Sequence, residues 1–485
     1  MVILGISDGR DSAAALVVDG ALVGAIEQER LDRKRHSGAF PSAAIDCVLD
    51  LGGIRARDVD RVVLGGASRP GLPSGVAAAL RRTGMHMVGY ELVRRQLAPR
   101  LLADGYTRAT VEVVEHDRAQ VSAAYRTQPR ETALIVLIDA AADGASVSVD
   151  LARGGQINRV FLQSTLATLP GVPARVALPL GCDAAVLGGL VRRGTAPTAI
   201  VEALRTLIGF DGNALRAQRL GRGPDAFAAL AQRVAPEVFA AAAMEVVEDT
   251  VAELVTTFVN RTGVHTVVLA GTLFLDLRLA DRIAALPEVT ELHVCPGPGG
   301  AAAALGAALG AAGTAPTAIS LALGPAFDAD ACYRALSNAS LPRDKVDEPD
   351  RVAAEAIRAG RIVARFSGRT PFGPAALGLR SLLFDPALSG RVAAAKRRPG
   401  ALRFRTVAAT DPSLGALVRA TGLTEIAETS MNPSGEPTPS SPVDAIRAFR
   451  ALNADLLLLG PYRVEATAGS ARQKEPKPTQ SSPAR

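Results

Sequence analysis

The stretch GRTPFGPAALGLRSLLFDP, residues 368–386, contains a strand and a loop of unusual composition. It follows an apolar run at residues 362–366 that has the composition of a buried strand. Its glycines let backbone N–H groups approach an anion closely, and Arg369 and Arg380 supply charged forks suited to phosphate or carboxylate. The stretch therefore predicts an anion-holding loop in an α/β unit. The alternative is a Gly/Pro-rich surface turn with solvated arginines.

Length and composition are those of a globular protein with more than one domain. The 485 residues are enough for two or three domains, and 48% are hydrophobic and 21% charged. The net charge of +6 is spread along the chain, aromatic residues make up 4%, and tryptophan is absent. Nucleic-acid surfaces combine a concentrated basic stripe with stacking aromatics. We therefore expect no nucleic-acid partner.

Cysteine spacing and the N-terminal segment predict a cytoplasmic protein without membrane spans. The first eight residues reach a charge without a basic segment, so we expect no signal peptide. The Ala/Gly-rich run at residues 299–324 is broken by Pro316, and we expect a close-packed helix and a linker there. Widely spaced cysteines without a CxxC pair favour reduced thiols over disulfides or zinc. These are Cys47, Cys182, Cys295 and Cys332.

Apolar periodicity and turn residues predict an α/β fold. Strand-like runs at residues 2–6, 13–18 and 21–26 form a meander, with Asp19-Gly20 as a two-residue hairpin turn. Helices alternate with the later strands. Those strands are expected at residues 61–64, 111–114, 134–139 and 267–271, and the helices include residues 42–51 and 236–262.

The sequence divides into two α/β units and a polar tail. Leu323-Gly324-Pro325 marks a boundary, after which residues 362–366, 382–384 and 456–459 supply strands for a second unit. We predict domains at residues 1–320 and 321–465. Residues 466–485 are polar and proline-rich, and we expect them to be disordered.

A second polar segment, ETSMNPSGEPTPSSPVDA, occupies residues 428–445. It brings together the short hydrogen-bonding side chains of Thr429, Ser430 and Asn432, and a turn follows. Ser441 before a proline is the predicted N-cap of a helix. By composition alone the segment is a polar loop.

Taken together, these segments resemble the carbamoyltransferases of antibiotic biosynthesis and nodulation. The family pattern is close to GR-x-EFGPRALGNRS followed by TSFN-x-x-GEP, which residues 368–381 and 429–437 follow in part. Residues 11–30 resemble the family's HDxSAALVxDG…EEER opening. Residues 269–271 and 303–308 resemble its LAGG and TALGAA segments. The resemblance extends over nearly the whole chain, to about position 465.

The resemblance implies an N-terminal domain of the duplicated Kae1/ASKHA type and a C-terminal YrdC-like domain. In such enzymes the YrdC-like domain combines carbamoyl phosphate with ATP to give carbamoyl-adenylate. The Kae1-like domain then uses an iron-type metal and a bound nucleotide to transfer the carbamoyl group to a hydroxyl of a small molecule, a secondary metabolite or a glycan. A reactive mixed anhydride requires such a closed path, because water would hydrolyse it.

The resemblance also implies site residues in both domains. In the N-terminal domain it implies nucleotide contacts from Asp139 and Gly271, a catalytic role for Asp11, and a role for His116 as metal ligand or general base. His116 and Asp139 are the two remaining ligands of an incomplete metal site. In the C-terminal domain the implied carbamoyl phosphate and ATP site comprises Arg369, Gly373, Arg380, Ser381, Arg403, Ser430 and Asn432.

The C-terminal segments depart from the family pattern at several positions. Pro371, Ala375 and Leu379 replace a glutamate, an arginine and an asparagine of the first loop. The family's K-x-RE…RPFAP segment is represented by arginines at positions 397, 398 and 403, without its glutamate. Losing such partners weakens the binding of an anion.

The N-terminal domain departs further. The family metal motif HHLAH reads HDRAQ at residues 116–120, and Gly300 stands in place of the fourth ligand. Glutamine is a poor ligand for a soft metal, so an iron-type ion is doubtful. A rewired site that uses Asp117 or Asp143 is the alternative. The nucleotide turns have also changed, with Thr272 in place of a glycine.

Two functions follow from these observations. One is an active ATP-dependent O-carbamoyltransferase, and the other is an impaired paralogue that acts as a partner or regulator of an intact carbamoyltransferase. A sugar- or acetate-kinase-like ATPase would share the first hairpin but would leave residues 429–437 unexplained. His36 ends a basic run that matches a family segment, and it is a candidate wall of the acceptor cleft or part of a solvated turn.

Overall fold

The computed structural model describes residues 1–466 apart from positions 10, 67–85, 140–144, 165–168, 170–171, 178, 181–183, 218–225, 276, 296, 298 and 398–403. The described strands form three large sheets and one two-stranded ribbon. Residues 467–485, nearly all of the tail predicted to be disordered, lie outside the described residues.

The first sheet has five strands in the order β3-β2-β1-β4-β5. These are β1 Val2–Ser7, β2 Ala13–Val18, β3 Ala21–Glu27, β4 Arg61–Gly65 and β5 Thr110–Val114. The first three strands form an antiparallel meander, and β4 and β5 continue the sheet in parallel with β1. Asp19 and Gly20 both have positive φ (49° and 81°), as a tight two-residue hairpin requires.

The second sheet repeats this arrangement. The strands that follow are β6 Ala133–Ile138, β7 Ala145–Arg153, β8 Gln156–Ser164, β9 Ile208–Phe210, β10 Leu215–Ala217, β11 Thr266–Ala270 and β12 Glu291–Val294. The sheet order is β12-β11-β6-β7-β8, and β9 and β10 form the separate ribbon. As in the first sheet, three antiparallel strands are extended by two parallel ones. The N-terminal half is therefore a topological duplication.

Helices surround and separate these two sheets. They are α1 Glu29–Asp32, α2 Ser42–Gly52, α3 His86–Ala103, α4 His116–Arg126, α5 Val172–Ala177, α6 Ala184–Arg193, α7 Thr198–Arg205, α8 Ala226–Ala231, α9 Pro236–Thr262, α10 Leu277–Ala284 and α11 Ala302–Ala312. Short 3-10 helices occur at Ala56–Asp58 and Thr272–Leu275. One core cluster joins residues of both sheets with α4 and α11.

The Ala/Gly-rich helix α11 packs closely against β1 and α4 because a glycine lies at each contact. A Cβ at Gly5 of β1 would lie 2.1 Å from the carbonyl oxygen of Ala304, and one at Gly306 would lie 1.7 Å from that of Ala119 in α4. Both distances are shorter than the closest approach that a Cβ atom can make to an oxygen, so only glycine fits at these two positions. The predicted close-packed helix is thus found, and none of the described helices is long and apolar enough to span a membrane.

The third sheet has seven strands in the order β13-β19-β18-β14-β15-β17-β16. Its strands are β13 Asp344–Lys345, β14 Val363–Phe366, β15 Arg380–Phe384, β16 Arg405–Ala408, β17 Glu425–Ser430, β18 Leu456–Leu459 and β19 Tyr462–Glu465. The accompanying helices are α12 Ala329–Asn338, α13 Pro349–Arg358, α14 Ser389–Ala395, α15 Gly415–Thr421 and α16 Pro442–Ala451, with a 3-10 turn at Pro386–Leu388. Two separate apolar clusters pack against this sheet.

The predicted α/β class is confirmed, and so is the duplicated topology of the N-terminal half. Ser441 caps α16 as expected, and it forms a capping box with Asp444. The likeness of the seven-stranded unit to YrdC and the domain limits at positions 320 and 465 stay predictions.

Candidate functional site

Two residues predicted as metal ligands lie together at the carboxyl end of β6. Asp139 follows this strand directly, and His116 begins helix α4. His116 Nε2 and Asp139 Oδ2 are 3.4 Å apart, and both side chains are buried (4% and 0% exposed). Carboxyl ends of parallel strands are the usual place for ligands in α/β sheets, so the position suits a functional site.

Gln120 lies between these two residues. It follows His116 by one helical turn, and its Nε2 is 2.6 Å from His116 Nε2. The same amide nitrogen donates to one carboxylate oxygen of Asp139, while Thr272 Oγ1 donates to the other at 2.7 Å. Burial alone would raise the pKa of Asp139, but His116, by hydrogen bond and charge, lowers it to about 2 together with Thr272 and Gln120.

The surrounding residues do not complete a metal site. Asp117 forms a buried ion pair with Arg159, with Oδ2 2.5 Å from Nη1, so its charge is already balanced. Gly300 offers only its backbone, and its carbonyl accepts a hydrogen bond from Ser7 Oγ at 3.1 Å. Asp143 lies outside the described residues. Catalytic sites of this kind use three protein ligands and structural sites use four, so the described donor set does not fit an iron-type ion.

Gly271 stands beside this cluster at the end of β11. Its φ is 96°, and a Cβ there would lie 2.2 Å from the carbonyl oxygen of Ile138. Glycine is therefore required for the close approach of β11 to β6, whatever ligand the site holds. The nucleotide contacts predicted for Gly271 and Asp139 stay predictions, because residues 140–144 of the adjoining turn lie outside the described part.

Asp11, predicted to be catalytic, contacts His36. Asp11 Oδ1 is 2.6 Å from His36 Nδ1, and the backbone N–H of His36 donates to the Glu29 carboxylate at 2.7 Å. Ligand atoms of the three residues lie within 4.8 Å of one another. The other ring nitrogen, Nε2, accepts a hydrogen bond from Arg35 Nε at 3.3 Å, so this imidazole can act as a general base once a substrate hydroxyl takes the place of the exposed Arg35.

Arg369 of the glycine-rich loop contacts backbone carbonyls. Its guanidinium donates to Gly324 at 2.8 Å and to Leu323 at 2.5 Å, in the segment where we placed the domain boundary. It also donates to Val23 in β3 at 3.0 Å. These contacts join the loop to the first sheet, and the predicted contact of Arg369 with carbamoyl phosphate stays a prediction.

Arg380 is fully buried at the start of β15, with its guanidinium carbon 3.7 Å from the centre of the Phe366 ring. No carboxylate within salt-bridge distance of it occurs in the described part of the chain. Burial lowers the pKa of Arg380 to about 9, and the positive charge of Arg30 adds to this shift. Its hydrogen-bond acceptors are the carbonyls of Ser367, Gly368 and Leu379 and the hydroxyl of Thr370.

Glu428 holds the next part of the loop. Its carboxylate accepts hydrogen bonds from the backbone N–H of Gly378 and from Ser381 Oγ, the latter at 2.6 Å. Arg405 Nε donates to the other oxygen of the same carboxylate. Ser381 therefore lies in a buried network in this structure. The backbone N–H of Gly378, which we expected to face a bound anion, thus donates to the Glu428 carboxylate instead.

Lys396 lies among the residues of the second motif. Its ammonium group donates to the carbonyl of Ser430 at 2.5 Å, and it is within 3.4–3.5 Å of Thr429 Oγ1, Ser430 Oγ and Asn432 Oδ1. The residue is only 5% exposed. Asn432 also donates to the carbonyl of Glu436, which fixes its amide. A fixed cation is thus surrounded by hydroxyl and amide groups.

One segment of the N-terminal domain contacts both loops of the C-terminal unit. Arg30 donates to the carbonyl of Gly373 at 2.6 Å, and the backbone N–H of Gly373 donates to Glu27 at 2.7 Å. Arg33 donates to the carbonyls of residues 437–438, each at 2.8 Å. The predicted ligand Gly373 is therefore part of a contact between the two units.

Comparison with known proteins agrees with these features. The two sheets of equal strand order, with buried polar groups at their strand ends, define the ASKHA type of duplicated α/β fold. A family model described as the carbamoyltransferase N-terminus matches residues 2–70. The nodulation protein NolNO of Sinorhizobium fredii is 25% identical over 398 residues, which cover 78% of this chain and 58% of NolNO. The N-terminal segment therefore resembles a carbamoyltransferase N-terminus, in agreement with the motif at residues 11–30.

One further sequence and two solved structures are also similar to this chain. An uncharacterized protein of Synechocystis, sll1178, is 27% identical over 79% of this chain and 71% of its own length. An activator of 2-hydroxyisocaproyl-CoA dehydratase from Clostridium difficile, solved with bound ADPNP, matches with 17% identity and a TM-score of 0.36 over 64% of this chain and 94% of its own. The ROK hexokinase of Thermus thermophilus is 16% identical, with a TM-score of 0.34, over 64% of this chain and 98% of the hexokinase. The fold assignment rests on the strand order, since such TM-scores are low.

The structure brings some predicted residues together and separates others. His116 lies against Asp139, and Ser430 lies against Asn432. Arg369 instead donates to carbonyls outside its loop, and Arg380 donates to carbonyls of the loop itself. Arg403 lies outside the described residues. Sequence reasoning missed Gln120 as a bridge, Glu428 and Lys396. Lys396 was recognisable as the lysine of the family's K-x-R segment, because it directly precedes the arginines at positions 397 and 398.

Proposed function

We propose that the chain is an ATP-dependent O-carbamoyltransferase whose donor site is formed around Lys396. The arrangement of this ammonium group with Ser430 and Asn432 carries the proposal. Carbamoyl phosphate and ATP are polyanions, and a fixed cation in a buried setting stabilises their charge more strongly than one in water. The segment 429–437 and the preceding lysine are also the parts of the C-terminal unit that keep most of the family pattern.

The reaction proposed for this site is the formation of carbamoyl-adenylate. Atom balance requires one water: carbamoyl phosphate is hydrolysed to carbamate and inorganic phosphate, and a carbamate oxygen then attacks the α-phosphorus of ATP. The bond to the β-phosphate breaks and pyrophosphate leaves. Lys396 would stabilise negative charge that develops on the phosphate oxygens, and Asn432 would orient the substrate through its amide.

The second step of the proposal transfers the carbamoyl group to a hydroxyl of a small molecule, a secondary metabolite or a glycan. The acceptor oxygen attacks the carbonyl carbon, and AMP leaves. His36, oriented by Asp11, would take the hydroxyl proton. The contacts of Arg30 and Arg33 with both C-terminal loops support a protected path between the two sites, because they hold the units against each other.

The test is ATP–pyrophosphate exchange by the full-length protein with carbamoyl phosphate. Lys396→Met is expected to lower the exchange rate by about 100-fold, since removing a charged partner in a buried site costs roughly 3 kcal/mol. Lys345→Met is the matched control, because Lys345 is an exposed lysine of the same unit, in strand β13. Absence of exchange by folded wild-type protein, or equal rates for both variants, would contradict the proposal.

The alternative is a regulatory paralogue, and one observation favours it. Gln120 bridges the two remaining metal-ligand positions, so transfer activity could have been lost while the fold was kept. This alternative predicts no carbamoylated product from the isolated chain, together with a complex that forms when an intact carbamoyltransferase of the same organism is added. Size-exclusion chromatography of the mixture, coupled to light scattering, distinguishes the two functions.

A further inference from the structure

We infer that the Gln120 side chain takes the place of a metal ion in the N-terminal domain. His116, Gln120 and Asp139 then form a buried, metal-independent triad. The inference does not depend on the proposed carbamoyl transfer, since it concerns the chemistry of three side chains.

The geometry places the amide where an ion would bind. Two ligands of one tetrahedral ion, each about 2.0–2.2 Å from it, lie roughly 3.4 Å apart. That is the separation of His116 Nε2 and Asp139 Oδ2. The amide nitrogen of Gln120 is 2.6 Å from the imidazole nitrogen and also hydrogen-bonds the carboxylate. It therefore satisfies the two groups that an ion would otherwise join.

The orientation of the amide follows from electrostatics. With the nitrogen toward the cluster, one N–H of Gln120 donates to Asp139, and the other faces His116 Nε2, which accepts it when the imidazole is neutral with its proton on Nδ1. With the amide reversed, its oxygen would face the carboxylate and the two negative atoms would repel. In the observed orientation, Gln120 Oε1 is buried without a hydrogen-bond partner in the described part of the chain. The N–H contacts must outweigh that cost.

The backbone at Gln120 is held in place by the packing of two helices. The carbonyl of the preceding residue, Ala119, lies where a Cβ on Gly306 would be only 1.7 Å away, so α4 and α11 are packed backbone to backbone. Gln120 itself is 1% exposed. An incoming ion would have to displace a buried amide, and it would gain only two protein ligands from the described part of the chain. Two ligands are too few for tight binding.

Metal analysis of the purified full-length protein tests the inference. The wild type, Gln120→His and Gln120→His/Gly300→Asp are expressed in iron- and cobalt-supplemented medium and purified without chelators. Metal content is measured by mass spectrometry, and Co²⁺ is titrated while the d–d absorption is recorded. We expect trace metal in the wild type and about one ion per chain in the double variant, because that variant restores four ligands.

Each outcome decides the matter. A wild type that holds one ion per chain, released by a chelator with loss of thermal stability, overturns the inference. Variants that remain metal-free although they unfold at the wild-type temperature also overturn it, because the amide would then not be what excludes the ion. If a variant fails to fold, the wild-type measurement alone still decides. ATP–pyrophosphate exchange is measured separately, so failure of the proposed function does not affect this result.

Discussion

Replacing Arg30 with methionine is expected to destabilise the contact between the two units by about 3–5 kcal/mol. Arg30 and Glu27 are both nearly fully buried and form an ion pair at 3.4 Å. The same guanidinium donates to the carbonyl of Gly373 at 2.6 Å. Methionine keeps most of the side-chain volume but leaves a buried carboxylate without its cation and a carbonyl without its donor. Removal of one member of a buried pair is costly for this reason.

A second substitution separates the charge from the other contributions. Glu27→Gln removes the unpaired charge, so Glu27→Gln/Arg30→Met is expected to lose only about 1–2 kcal/mol relative to the wild type. Burial raises the pKa of Glu27, and the charge of Arg30 opposes this rise. In Arg30→Met the pKa rises further, so the variant loses more stability as the pH increases through that pKa.

Urea unfolding followed by circular dichroism measures the loss, and hydrogen exchange at residues 368–380 locates it. Arg351→Met is the control, because Arg351 is 63% exposed and its ion pairs with Glu348 and Glu355 lie at the surface. It is expected to change the free energy of unfolding by less than about 0.5 kcal/mol. The reasoning is refuted if Arg30→Met behaves like this control, or if the double variant is less stable than the single one.

Three further predictions concern other parts of the fold. Gly306→Val should prevent folding or lower Tm by more than about 10 °C, because a Cβ there overlaps the Ala119 carbonyl. A wild-type Tm for this variant would contradict the close packing of α4 and α11. Asp411→Asn should cost about 1–2 kcal/mol at pH 7. Burial alone would raise the pKa of Asp411, but Ser413, Leu414 and Arg405 lower it to about 2, so the deficit should shrink as the pH falls from 4 toward 2 in urea titrations. Burial raises the pKa of Cys295 to about 12, so iodoacetamide should leave this thiol unmodified in native protein and label it after unfolding.

The strands and helices were largely predictable because their signals are local. The Asp19-Gly20 turn has the residues that a two-residue hairpin needs, and the predicted helix over residues 236–262 has the observed limits. Ser441 caps its helix through a residue three positions away. Such contacts are encoded within a few residues of each other, so a single sequence reveals them.

The hydrogen-bond partners of the charged side chains were not predictable in the same way. Arg369 reaches Val23, which is 346 positions earlier in the chain, and the sequence shows the charge of Arg369 but not this partner. Loop carbonyls that lack secondary-structure partners need donors, and the nearest buried arginine, Arg380, supplies them. Gln120 was visible as a substitution, yet its bridging contacts depend on how α4 packs beside β6.

Activation of carbamoyl phosphate is tested most directly by the exchange of radiolabelled pyrophosphate into ATP. The full-length wild type is expected to catalyse exchange only when carbamoyl phosphate is present, and Lys396→Met is expected to lose it while Lys345→Met retains it. No exchange by wild-type protein that is folded and monodisperse, or exchange that persists unchanged in Lys396→Met, would contradict the assignment of the donor site.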